Sequence, residues 1–216
     1  MISQIGNYHI IKLLGKGSMG AVYLAMSSSS EVVALKVVKK ELSEDQMYLQ
    51  RFMREIQVVQ NLNHPNIVRT LDYGVDMEQD ALFAVMEFID GPDVNQLIQR
   101  FEALQIHEAF VILAQAAKGL DYAGKQNLVH RDIKPANLLL NKKGFLKIAD
   151  FGLVKDHQNE SITQTGTALG SPAYMSPEQI MGENTIDIRS DIYSLGVVFF
   201  KMVTGKLPYF SKRSSD

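Results

Sequence analysis

Cysteine is absent from the 216 residues, so the chain has no disulfide, no thiolate metal site and no thiol switch. Long apolar runs are lacking too. The longest near the C-terminus, Leu195 to Phe200, stops at Lys201 and is far too short to span a bilayer. The opening Met-Ile-Ser-Gln-Ile-Gly has neither a basic n-region nor a hydrophobic h-region, so no signal peptide is visible. Ile2 stands where myristoylation needs glycine. Nor does one sign of charge dominate. Lys and Arg total 22 against 24 Asp and Glu, and the net charge of −2 gives no electrostatic footprint for nucleic acid or an anionic membrane. No internal repeat and no long low-complexity segment occurs. The expectation is a soluble, cytoplasmic protein with no nucleic-acid partner and no membrane segment in this chain.

What is present is ordinary for a globular protein: 46% hydrophobic and 21% charged residues, in a chain long enough for one large domain or two lobes. The first third reads as strands. Tyr8–Leu14 and Ala21–Met26 flank a Gly-rich turn, and Val32–Val38 follows a four-serine loop. Apolar positions Leu49, Phe52, Met53, Ile56 and Val59 then recur at helical spacing, predicting a helix from about Ser43 to Leu62. Strands are expected near Val68–Tyr73 and Leu82–Phe88. After Asp90-Gly91-Pro92 the pattern turns helical, over Val94–Leu104 and Ile106–Lys125. A strand pair, Leu138–Leu140 and Leu146–Ala149, brackets a turn, and a last helix runs from about Asp187 to Thr204 with Gly205 as its cap. Strands first and helices later predict an α+β fold of two lobes, residues 1–89 and 90–216, with the hinge at Asp90-Gly91-Pro92.

Gly15-Lys16-Gly17-Ser18-Met19-Gly20-Ala21-Val22 follows the pattern G-x-G-x-x-G-x-V. Glycines let a backbone approach phosphates closely, although the same pattern also occurs in ordinary turns and in dinucleotide fingerprints. A strand, not a helix, follows the loop, which disfavours the dinucleotide reading and predicts a β-hairpin lid over phosphates. Lys36 alternates onto the face of Ala34 and Val38, and Glu55 lies among Phe52 and Val59 on the apolar side of its helix. A snorkelling lysine and an edge-of-face glutamate are the ordinary readings. Two opposite charges on core-facing positions also invite each other, because a buried unpaired charge is costly.

His130-Arg131-Asp132-Ile133-Lys134-Pro135-Ala136-Asn137 is followed, thirteen residues after the Asn, by Asp150-Phe151-Gly152. Asp132 can accept a proton from an attacking hydroxyl, while Asn137 and Asp150 offer hard oxygens to a metal. Asp132, Lys134 and Asn137 are too tightly spaced for one helix to aim all three at a point, and Pro135 predicts a loop. These two motifs, together with Gly170-Ser-Pro-Ala-Tyr-Met-Ser-Pro-Glu-Gln179, resemble the serine/threonine protein kinases, specifically their bacterial branch. The resemblance runs from about Tyr8 to Tyr209. It implies a two-lobed kinase fold and transfer of the ATP γ-phosphate to serine or threonine hydroxyls of protein substrates, with Mg²⁺ or Mn²⁺. It makes Asp132 the general base, Lys134 the γ-phosphate contact, Asn137 and Asp150 the metal ligands, and Lys36 the holder of the α- and β-phosphates, itself held by Glu55. Gly15, Lys16, Gly17, Ser18, Gly20, Val22 and Ala34 would surround the nucleotide. Met86 would be the gatekeeper, with the Glu87 and Ile89 backbones on adenine.

The same resemblance makes Asp191 the buried anchor of the catalytic loop and His64 a structural residue. It places autophosphorylation on Thr163 or Thr165, among the hydroxyls Ser161 and Thr167, with Arg131 receiving the phosphate. Ser171 stands where the family usually has Thr, and Ser176-Pro-Glu178 stands for Ala-Pro-Glu. The family's domain continues for several helices past Gly205, so the expectation is a C-lobe lacking its last helices. Glu178 would then lack its usual Arg, and the helix bearing Val197, Val198, Phe199, Phe200 and Met202 would lack its cover. That favours self-association or a completing partner. A non-catalytic nucleotide-binding scaffold is the alternative function, and a small-molecule kinase is disfavoured by the match at Gly170–Gln179.

Overall fold

The computed structural model describes residues 3–17, 20–43, 45–151, 172–183 and 185–209. Two compact units separate: the chain up to Asp90 with Asp150 and Phe151, and Gly91–Ala149 with the described residues from Pro172 on.

In the first unit, β1 (Gln4–Ile5), β2 (Tyr8–Lys16), β3 (Gly20–Ser27), β4 (Val32–Val38), β5 (Thr70–Asp76) and β6 (Ala81–Glu87) form one antiparallel sheet in the order β1-β2-β3-β4-β6-β5. Strand alternation gives each face its own core. Ala25, Val33, Leu35, Phe83 and Val85 lie buried on one face, joined by Ile5. On the other, Val38, Leu82 and Ala84 pack beneath Phe52 and Ile56 of a covering helix.

The sheet curls until its two edges meet. Tyr8 donates its hydroxyl to Asp72 at 2.7 Å, and the Gly6 amide donates to Asp76 at 2.6 Å. The Phe83 ring fills the gap so closely that a Cβ on Gly6 or Gly74 would lie 3.1 Å from it. The two-residue strand β1 has too few residues to show a period in the sequence.

The single helix expected over 43–62 is two, α1 (Lys40–Ser43) and α2 (Gln46–Gln60). Asp45 is the reason. Its carboxylate accepts the Met47 and Tyr48 amides at 2.8 and 3.2 Å, an N-cap that starts a new helix.

The second unit carries α3 (Val94–Phe101), α4 (Ile106–Gly124), a 3-10 turn (Pro135–Asn137), the hairpin β7 (Leu138–Leu140) and β8 (Leu146–Ile148), a second 3-10 turn (Pro172–Tyr174), α5 (Pro177–Met181) and α6 (Ile188–Thr204). Capping boxes start α3 at Asp93 and α5 at Ser176. α3 stops three residues short of the expected Leu104, because the Leu104 amide turns to the Met202 carbonyl at 2.7 Å. α4 packs along α6, with Gly124 against Ile188 and the Phe110 and Phe199 rings 5.0 Å apart. Leu195, Val198 and Met202 of α6 are buried while Ile192 and Phe200 are exposed. Gly205 ends α6 at φ 72, where any Cβ would meet the Glu102 carbonyl at 2.5 Å. No helix among the described residues is long and apolar enough to cross a membrane.

Candidate active site

Each unit holds one group of the residues singled out in the sequence. In the first, the glycine-rich segment is the β2–β3 hairpin, with Gly15 opposite Val22 and Lys16 opposite Ala21. The Gly17 amide donates to the Gly20 carbonyl at 2.8 Å. Ser18 lies outside the described residues. Glycine is required at position 20 for a specific reason: a Cβ there would sit 2.0 Å from the Val37 carbonyl oxygen. Around Gly15 there is open space.

Cross-strand register places Val22 opposite Lys36, Lys36 opposite Ala84, and Ala34 opposite Met86. These residues therefore share one face of the sheet. Met86 is buried on it. Lys36 reaches from this face to Asp150, Nζ to Oδ1 at 2.8 Å, with side-chain exposures of 12% and 34%. A charge pair this sheltered is screened less than a surface pair. Asp150 holds φ 62, an uncommon backbone for a residue with a side chain. Glu55 is half-buried on α2 between the buried Phe52 and Ile56. Its charge, after burial, is the second cause that pushes the Tyr48 phenol up to about 12. The Glu87 amide donates to the Arg69 carbonyl at 3.0 Å, and its carboxylate accepts the Arg69 amide at 2.8 Å. Ile89 is half-buried just past β6.

In the second unit, the segment from His130 to Asn137 is a loop closing in the 3-10 turn, and it brings Asp132, Lys134 and Asn137 together. Lys134 Nζ lies 2.9 Å from Asp132 Oδ2, and Asn137 Nδ2 donates to the same oxygen at 3.1 Å and to the Asp132 carbonyl at 2.8 Å. Asp191, from the first turn of α6, anchors the loop. Its buried carboxylate accepts the His130 amide at 2.7 Å and the Arg131 amide at 2.8 Å. Burial pushes the Asp191 carboxyl above the usual carboxylate range, opposed by the charges of His130 and Arg131 and by these two bonds. Arg131, held at φ 64, is the strained residue that this anchor secures. His130 Nδ1 accepts the Asp132 amide at 3.2 Å, so Nε2 carries the hydrogen and donates to the Ala149 carbonyl at 2.8 Å. One imidazole thus links the Asp132 amide to the carbonyl of Ala149, the residue preceding Asp150.

One contributor was not legible as a site residue. Gln179 reads in the sequence as the N3 member of a capping box on Ser176, yet its amide also donates to the Arg131 carbonyl at 3.0 Å. Glu178 accepts from the Ser190 hydroxyl, which holds its carboxyl below the usual range. Ser161, Thr163, Thr165, Thr167 and Ser171 lie outside the described residues, as does Gly152.

Among the described residues, no group of three or more His, Cys, Asp or Glu side chains is placed to hold a metal ion. A magnesium ion carried by nucleotide phosphates needs only one or two protein oxygens. Asn137 fits that requirement: its amide nitrogen is committed to Asp132, which leaves its carbonyl oxygen as the atom to offer.

A family model described as protein kinase domain matches residues 8–216. The probable serine/threonine-protein kinase CPE1738 of Clostridium perfringens is 38% identical over 212 residues, covering 97% of this chain and 30% of that protein. The serine/threonine-protein kinase PknA of Mycobacterium tuberculosis is 38% identical over 212 residues, 96% of this chain and 49% of the relative. For PrkC of Bacillus subtilis the values are 38% over 205 residues, 94% and 31%. The chain thus spans between about a third and a half of the length of these curated relatives. The crystal structure of the Mycobacterium tuberculosis PknI kinase domain matches with a TM-score of 0.78 at 30% identity, covering 97% of this chain and 79% of that one.

Proposed function

The chain belongs to the protein kinase domain family, and on that premise we propose that it transfers the γ-phosphoryl group of ATP to serine or threonine hydroxyls of proteins. The observation that carries this reading is the Asp132 cluster: a carboxylate flanked by a cation at 2.9 Å and an amide at 3.1 Å, on a loop held by a buried anchor. Asp132 takes the proton of the attacking hydroxyl as its oxygen bonds to the γ-phosphorus and the bond to the ADP oxygen breaks. Lys134 balances charge on the transferring group. Little covalent work falls to the protein, so positioning and charge stabilisation supply the rate.

Nucleotide recognition falls to the first unit. Val22, Ala34 and Met86 offer an apolar sheet face for adenine, and Gly15, Lys16, Gly17 and Gly20 a hairpin for phosphates, to which Ser18 would add its amide. The backbones of Glu87 and Ile89, at the end of the same strand, would meet adenine. Lys36 holds the α- and β-phosphates, with Glu55 as its partner when nucleotide is bound. Asn137 and Asp150 would hold Mg²⁺, or Mn²⁺ in its place, and the ion would neutralise phosphate charge. Thr163 or Thr165 is the autophosphorylation site, with Arg131 as phosphate partner. Use of ATP places the work in the cytoplasm.

Incubation with Mg-ATP followed by intact mass tests the reading. Steps of one phosphoryl group are expected. Asp132→Asn is expected to abolish them while ATP affinity stays near the parent value, and Asp150→Asn to weaken Mg-nucleotide binding instead. Near-normal turnover by Asp132→Asn at saturating substrate would sink the assignment.

A further inference from the structure

We propose that Gln115 is a positioning residue for the metal-holding end of the site, an inference that rests on the phosphoryl-transfer reading above. Gln115 is half-buried midway along α4. Its side-chain oxygen accepts the Leu146 amide at 2.9 Å, and its side-chain nitrogen donates to the Gly144 carbonyl at 3.2 Å. Both contacts fall at the turn end of the β7–β8 hairpin. Leu146 is fully buried, so its amide needs a protein partner, and the facing strand does not supply it. Leu140, opposite Leu146, sends its own amide outward to the Pro92 carbonyl at 2.9 Å. The hairpin is therefore gripped from both sides, by the chain before α3 and by Gln115 on α4.

The other end of the same hairpin carries the chemistry. Asn137 immediately precedes β7, Ala149 follows β8, and the Ala149 amide closes the pair by donating to the Asn137 carbonyl at 2.8 Å. Asp150 is the next residue. The three-residue strands separate turn from site by roughly 10 Å. A tilt at the turn is therefore felt at Asn137 and at the peptide before Asp150. α4 also leads directly into the segment bearing His130 and Asp132. By bonding the hairpin to that helix, Gln115 fixes Asn137 in register with the proton acceptor Asp132 without touching nucleotide, metal or substrate. In the sequence it is one polar residue in an Ala-rich helix, with nothing to mark it.

Gln115→Leu removes both bonds at similar volume. Gln115→Glu keeps the acceptor for Leu146 and sets an oxygen against the Gly144 carbonyl. Three readouts apply to the full chain: amide hydrogen exchange at Leu146 and Ala149, Mn²⁺ uptake in the presence of a non-hydrolysable ATP analogue, and kcat against KM for ATP. In Gln115→Leu, protection at both amides is expected to fall and the Mn²⁺ half-saturation to rise about tenfold, as loss of a support behind metal ligands does elsewhere. kcat falls while KM for ATP stays near the parent value. Gln115→Glu gives the same changes in smaller measure, and it carries the comparison if the Leu variant does not fold. Retained Leu146 protection overturns the clamp. Lost protection with parental Mn²⁺ uptake makes Gln115 structural only and overturns the positioning role. A parent chain that takes up no Mn²⁺ with the analogue sinks the kinase reading and this proposal together, whereas equal uptake by parent and variant sinks the proposal alone.

Discussion

Removing the Asp191 carboxylate separates stability from catalysis in a way the geometry makes calculable. Its two oxygens accept the amides of His130 and Arg131 at 2.7 and 2.8 Å in a site with 1% exposure. Asp191→Ala leaves the buried His130 amide and the partly buried Arg131 amide without this acceptor, at about 1–3 kcal/mol each, the second toward the low end. Relief of the desolvation that raises the Asp191 carboxyl offsets part of this, so a net loss of about 3 kcal/mol is expected. Asp191→Asn keeps one acceptor and no charge, and is expected to lose about half as much. The larger effect falls on turnover. Arg131 is held at φ 64 against a preference of roughly 1–2 kcal/mol for ordinary backbone, and without the anchor it relaxes. Asp132 is one peptide away, and a shift of about 1 Å at a reacting group costs on the order of 100-fold. Urea unfolding gives the first quantity and steady-state kinetics the second. The residues proposed to hold adenine and the α- and β-phosphates lie in the other unit, so KM for ATP is expected to stay near the parent value. An Asp191→Ala protein with parental kcat, or one that loses ATP affinity and turnover in equal measure, would refute this chain of reasoning.

Gly20→Ala drives a Cβ to 2.0 Å from the Val37 carbonyl oxygen and is expected to cost about 1–3 kcal/mol and raise KM for ATP, while Gly15→Ala, in open space, leaves thermal stability near the parent's. Burial, helped by Asp72 for Tyr8 and by Glu55 for Tyr48, pushes both phenols up to about 12. The unfolded chain ionises first, near pH 10, so this contribution to stability is intact below about 10 and is lost as pH rises toward 12. Ultraviolet titration is expected to show Tyr8 and Tyr48 among the late phenols, with one fewer late phenol in each of Tyr8→Phe and Tyr48→Phe. Peptide mapping after ATP treatment is expected to find phosphate on Thr163 or Thr165. In an active preparation, phosphate found only outside residues 155–170 would refute that assignment.

The meeting of Asp132, Lys134 and Asn137 was legible in the sequence, since the three lie within six positions of one another. The strand Val32–Val38 was read to the residue because both of its faces are apolar except at Lys36. Two things escaped. Helix boundaries failed where a distant partner or a cap competed with periodicity, as at Leu104 with its bond to Met202, and at Asp45. Side chains whose work is to satisfy another segment's backbone, such as Gln179 on Arg131 and Gln115 on Leu146, have no sequence period, because both partners belong to segments far apart in the chain. Asp191 was found only through resemblance; an acidic residue in a helix's first turn is otherwise an ordinary favourable charge.

Asp132 decides the matter most directly. Parent and Asp132→Asn chains, each incubated with Mg-ATP and a serine- and threonine-bearing protein, are compared by intact mass, with nucleotide binding measured on the same samples. Phosphoryl steps in the parent, none in the variant and equal ATP affinity in both are expected. Equal phosphorylation by the two, or a parent that binds ATP and transfers nothing, would contradict Asp132 as the base of a working kinase.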